Sequence, residues 1–140
     1  MANKGVSSLK FINYVVDSVE FRNNPAFEAD EVSIKFDIRP QYIEDDNELI
    51  LIIEVDVFKD AIANNYPFEI SIRMIGYFKL EGDGDIIRFR NNALAIMYPY
   101  IRTLVTGYTS NSNVTPLILP VINVNAMFKE KNSINHYRDY

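Results

Sequence analysis

Cysteine and tryptophan are absent from the 140 residues, and histidine occurs once. Without cysteine there is no disulfide, no thiolate metal site and no cysteine nucleophile. Such a chain suits a reducing compartment, and its expected location is cytoplasmic. His136 is the only histidine and sits close to the C-terminus, where a solvated tail residue is expected rather than a general base. A Ser-His-Asp system is therefore not expected, and neither is an enzyme. Cationic residues are outnumbered, 14 Lys and Arg against 19 Asp and Glu. Phosphate-backbone binding needs clustered cations, so nucleic acid is not an expected partner. No run approaches the ~18 apolar residues of a membrane span, and no apolar segment of leader type follows Lys4, so membrane insertion is not expected.

Phosphate loops and metal motifs are missing as well. Gly82 and Gly84 lack the Lys-Ser/Thr that follows a phosphate loop. The clusters Asp45-Asp46-Glu48 and Glu81-Asp83-Asp85 lack EF-hand spacing and read as solvated turns, so no metal and no cofactor is expected. Asn113-Val114-Thr115 fits a glycosylation pattern, but Pro116 follows it and no secretion signal precedes it.

What the chain does have is apolar surface: 48% of residues are hydrophobic and 13% aromatic. That composition builds a packed core, and the length fits a single domain over residues 1–140. Val32, Ile34, Phe36 and Ile38 alternate with polar neighbours and predict a half-buried antiparallel strand over Val32–Arg39. Apolar odd positions predict a second strand over Leu49–Phe58. Phe68, Ile70, Ile72 and Met74 predict a third, running to about Leu80, with a bulge natural at Ile75-Gly76. Leu9–Phe21 is β-branched and aromatic and reads as an edge strand. The segments 43–48, 60–67 and 81–85 carry turn chemistry.

After residue 85 the period changes. Leu94, Met97, Tyr98, Ile101, Leu104, Val105 and Tyr108 recur at spacings of three and four, predicting a long amphipathic helix that ends near Gly107. A shorter helix is predicted over Asn123–Lys131, with Val124, Met127 and Phe128 on one side. Strands first and helices last give an α+β fold with helices on one face of an antiparallel sheet. Pro99 falls inside the long helix, where proline costs about 3 kcal/mol. An apolar run bracketed by prolines, TPLILPV, follows.

Tyr98-Pro99-Tyr100 on a long helix, followed by TPLILPVINVNAMF, resembles the SecB protein-export chaperone family. VDSVEFRNNP and PFEISIRMIGYFKLEG resemble its first and fourth strands more weakly. The resemblance implies a four-stranded antiparallel sheet with a long helix and a short C-terminal helix on one face. It implies a homotetramer, a dimer of dimers, that holds unfolded polypeptide clients without ATP, for export or for a dedicated client such as an antitoxin in a toxin-antitoxin system. Thr115–Val121 then forms one wall of a client groove, with client-binding candidates Ile34, Phe36, Leu117, Leu119, Val124 and Phe128. Tyr98, Ile101, Leu104, Val105 and Tyr108 become candidates for the oligomer interface, and a partner helix would compensate for Pro99. Arg22, Ser71 and Arg73 stand where the family's surface for the SecA motor is acidic, so weak or no docking to SecA is predicted. The alternative function is a carrier that encloses a small apolar ligand between sheet and helix.

Overall fold

A computed structural model describes residues 7–124, and Phe128, Met127, His136 and most of the predicted second helix lie outside them. Four strands, β1 (Ser7–Asn23), β2 (Phe36–Asp45), β3 (Glu48–Val57) and β4 (Phe68–Gly82), form one antiparallel sheet in the order β1-β4-β3-β2. A single turn, α1 (Ala61–Asn64), links β3 to β4, and α2 (Arg90–Ser110) packs on one sheet face. A turn over residues 111–114 leads into the extended crossover over residues 115–123, which runs back along α2.

The second strand differs from expectation. Val32–Lys35 alternate as predicted but lie outside the strand, while the ladder runs on through Pro40 to Asp45. Proline survives there because β2 is an edge strand and one side of it has no ladder to feed. The turn closes at Asp46-Asn47, with Asp46 at φ 53°, a left-handed conformation that Asp tolerates better than most residues.

No bulge forms at Ile75-Gly76, where the β3–β4 register is continuous. The bulges sit instead in β1, which carries Ile12 and Asp17 as extra residues. Gly76 serves a different purpose. A Cβ there would lie 2.8 Å from Met97 Sδ and 3.0 Å from a Phe78 ring carbon. The missing side chain lets α2 approach the centre of the sheet, so the core is closed at that point.

The helix continues past Gly107 to Ser110. Pro99 and Ala95, whose carbonyl it leaves without an intrahelical donor, both lie on the exposed side of α2. Water can reach that carbonyl, so no partner helix is required to explain the proline. At the other end, the Asp85 carboxylate accepts from Ile87 N–H at 3.1 Å and caps a 3-10 turn that leads into α2.

The start of α2 is fastened to the end of β2. Arg90 donates to both Glu44 carboxylate oxygens, with Nη2 to Oε1 at 2.9 Å, and lies 5.2 Å over the Tyr42 ring. The charge-assisted hydrogen bond from Arg90 holds the Glu44 carboxyl below its usual range. Burial, countered in part by Arg90, pushes the Tyr42 phenol up to about 12.

Candidate functional site

The helix face that meets the crossover is polar at every third or fourth position, and each polar side chain takes a backbone group of the extended run. The Tyr98 hydroxyl donates to Pro120 O at 2.6 Å, and Arg102 Nε donates to Leu119 O at 2.9 Å. The Thr106 hydroxyl donates to Leu117 O at 2.9 Å, while Leu117 N–H donates to the Thr109 hydroxyl at 2.9 Å. Positions 98, 102, 106 and 109 lie on one helical face, so they meet a chain running beside α2. Pro116 and Pro120 have no N–H to offer a sheet, and the helix supplies the partners a ladder would have given.

Extended geometry alternates the side chains. Leu117 and Leu119 point into the core, and Leu119 is fully buried, while Ile118 between them is 62% exposed; the alternation shifts at Pro120, so Val121 is exposed as well. Ile34, Phe36 and Val124 are also core residues. The sequence-based candidates thus mark the inward face of the crossover and of the β2 approach, except that Leu117 also reaches a groove beside it. The extended, apolar character of the segment was readable. Which face turns outward was not, because both faces are apolar.

That groove has a volume of about 860 Å³. The turn and crossover from Asn113 to Ile118 form one wall and the β1–β2 connection, with Pro25, Phe27 and Val32, forms the other. Phe58, Pro67 and Phe68 form its floor. Phe58 has φ 54°, unusual for a bulky residue, and its ring packs at 4.9 Å from Tyr66 and 5.2 Å from Phe68. Holding such a backbone costs on the order of 1–3 kcal/mol, a kind of strain found often at binding sites. No periodicity in the sequence signals it.

Asn24 shapes the second wall. Its buried side-chain amide donates to Tyr66 O at 2.9 Å and Ala61 O at 3.3 Å, and its oxygen accepts from Ala26 N–H at 3.1 Å. Asn23 Nδ2 reaches Ser112 O at 3.1 Å and joins the two walls at one end. The groove is therefore mostly apolar, with the Asn23 and Asn24 amides fixing one wall and Asp30, Glu31 and Thr115 adding polar lining, and it is open to solvent.

The residues expected at an oligomer interface separate in the same way. Tyr98, Ile101 and Val105 are buried within the subunit, so they present little or no surface to a partner. Leu104 is half-buried and Tyr108 is exposed. Missed from sequence was the aromatic cluster at the β1 edge, where Tyr14 and Tyr100 ring centroids lie 4.5 Å apart and Phe11 lies 5.8 Å from Tyr100. Tyr14 and Tyr100 both remain more than a third exposed. Among the described residues no group of three His, Cys, Asp or Glu side chains is placed to hold a metal, and no helix is long and apolar enough to cross a membrane.

Comparison with known proteins gives a relative and a fold. The uncharacterised protein MJ0357 of Methanocaldococcus jannaschii is 33% identical over 127 residues, 86% of this chain and 82% of that protein. No protein-family model matches. The SecB-like chaperone Rv1957 of Mycobacterium tuberculosis, solved with a ChAD peptide from the Rv1956 HigA1 antitoxin, superposes with a TM-score of 0.64 at 14% identity. The match covers 82% of this chain and 91% of that one. A Streptococcus agalactiae protein of unknown function superposes with a TM-score of 0.57 at 11% identity, over 84% and 100% of the two chains. The fold is that of the SecB-like chaperone.

Proposed function

The chain belongs to the family of MJ0357, and on the fold it shares with a SecB-like chaperone we propose that it holds unfolded or aggregation-prone polypeptides without nucleotide. The observation that carries this reading is the open, largely apolar groove between the crossover and the β1–β2 connection, which also carries Asp30 and Glu31. Its volume of about 860 Å³, its opening to solvent and its apolar lining on both walls suit an extended segment of another chain. Each anchoring side chain buried there contributes at most about 1.5–3 kcal/mol, so affinity comes from several pockets together. A dedicated client such as an antitoxin is the favoured form of the proposal, because the chaperone of like fold was solved with an antitoxin peptide. SecA docking is not included, since Arg73 is already engaged by Asp17 and Glu54 on the outer sheet face.

A carrier with a small apolar ligand between sheet and helix is less well supported, because Gly76 and Met97 close that space. We place the client contacts at Phe27, Val32, Val114, Leu117 and Ile118, with Leu119, Val124, Ile34 and Phe36 supporting the wall from the core side. A homotetramer remains our proposed assembly, with the Tyr14–Tyr100 cluster, Leu104 and Tyr108 as its contact surface in place of Tyr98, Ile101 and Val105.

The test is suppression of aggregation of a slow-folding client by the parent chain and by a Phe27→Asp/Ile118→Asp double variant. The variant is expected to lose at least about tenfold in apparent affinity, equivalent to ~1.4 kcal/mol, with unchanged circular dichroism. A folded variant that holds clients as well as the parent overturns the groove assignment. A parent with no holding activity overturns the function.

A further inference from the structure

The sheet face opposite α2 is uncovered by any described element and is patterned in rows across all four strands. One row reads Asn13, Tyr77, Ile50, Ile43 and the next reads Val15, Ile75, Ile52, Gln41, in the order β1-β4-β3-β2. Ile12, pushed out by the first bulge, adds to them. Ile12, Val15 and Ile43 are 53%, 42% and 45% exposed, and a shallow hollow of about 520 Å³ opens between them. An apolar band this continuous on a solvent-facing sheet is unusual, because such faces are ordinarily polar.

The row beside the band carries the argument. It reads Lys10, Lys79, Glu48, Asp45 across the same four strands. Lys10 stands directly opposite Lys79, and Asp45 directly opposite Glu48. Like charges in directly opposed positions destabilise a sheet. All four residues are exposed, and none takes part in a salt bridge within the described subunit. One end of the row is thus cationic, the other anionic, and the mirror order is the complementary one.

The geometry points to a second copy of this chain as the occupant of this face, packed sheet against sheet about a two-fold axis parallel to the strands. That operation reverses the strand order of the partner and leaves each row in place. Lys10 and Lys79 of one copy then face Asp45 and Glu48 of the other, twice over, while Ile50 meets Tyr77 and Ile52 meets Ile75. The interface is isologous and closes on itself. At sheet spacings a face four strands wide and three alternate residues deep covers roughly 19 by 20 Å, about 400 Å². A standard interface buries ~800 Å² per partner, so association in the micromolar range is expected. This contact uses the face opposite α2 and so adds to any assembly made through the Tyr14–Tyr100 edge.

Sedimentation velocity of the full chain across the micromolar range tests it. The mass at low concentration is expected to double as concentration rises, and added salt is expected to weaken the doubling. Lys79→Glu alone and Glu48→Lys alone each place like charges face to face and are expected to abolish it. An equimolar mixture of the two variants restores opposite charges across the contact only, and the doubling is expected to return. Lys10→Glu and Asp45→Lys form a second reciprocal pair on the edge strands and are expected to behave alike. Absence of doubling in the parent, a doubling that survives both single variants, or a mixture that fails to restore it with either pair overturns the proposal. Loss of the doubling on adding an unfolded client, with the client bound at Ile50 and Tyr77, assigns the face to clients and overturns it too.

Discussion

Thr109 offers the sharpest test of how the groove wall is held. Its side chain is fully buried, and its hydroxyl donates to Val105 O at 2.8 Å while accepting Leu117 N–H at 2.9 Å. Thr109→Val keeps the shape and removes the acceptor. The Val105 and Thr106 carbonyls that share the hydroxyl proton both lie within α2, ahead of its last four carbonyls, so the group left unpaired and buried is the Leu117 N–H. An orphaned buried donor costs about 1–3 kcal/mol, and the extra methyl recovers up to ~0.8 kcal/mol of apolar burial. From the middle of that range the net loss is about 1–2 kcal/mol, which corresponds to roughly 2–8 °C in a domain of this size. Thr106→Val is the comparison, since Thr106 is half-buried and donates to the Leu117 carbonyl instead. Its loss is expected to stay near 0.5–1 kcal/mol, because a carbonyl at the edge of the crossover can turn to water. Urea unfolding of both variants gives the two numbers. If Thr109→Val melts within about 1 °C of the parent, or costs less than Thr106→Val, the crossover is not held by this bond and the reasoning fails.

Two further outcomes follow from the core and the clamp. Gly76→Val drives a side chain into Met97 and Phe78 and is expected to destabilise by about 1–3 kcal/mol in chemical denaturation; a neutral result would mean α2 does not approach the sheet there. Glu44 has a depressed carboxyl through Arg90, so its contribution is present above the unfolded carboxyl value of ~4.3 and is lost as pH falls through the folded value. The melting-temperature gap between parent and Glu44→Gln is therefore expected at neutral pH and should vanish in acid, and a gap that persists below that range refutes the ion-pair account.

Strands β3 and β4 were legible because one face of each is apolar along its whole length, and the apolar positions of period 2 at 49–57 and 68–74 are all buried. The long helix was legible for the same reason at period 3.6. Boundaries failed where context overrode propensity: Pro40 stays in β2 because that strand is an edge, and Gly107 stays in α2 because Thr109 is needed beyond it to meet Leu117. The groove was half legible. Prolines at 116 and 120 marked the extended wall, but its outward face, the opposite wall at Pro25–Val32 and the left-handed Phe58 depend on tertiary contacts. The charge rows of the outer face needed the strand order before they meant anything.

The length and partner of β1 also set a timetable for this protein's own synthesis. Ser7–Asn23 pairs only with β4, whose residues lie roughly 45 to 75 positions later in the chain. β2 and β3 form a hairpin of neighbours, but a seventeen-residue strand rich in aromatic and β-branched side chains must wait. At ~5–20 residues per second of translation, the wait is several seconds. Through that interval the nascent chain displays the kind of extended apolar segment that its finished groove is proposed to hold.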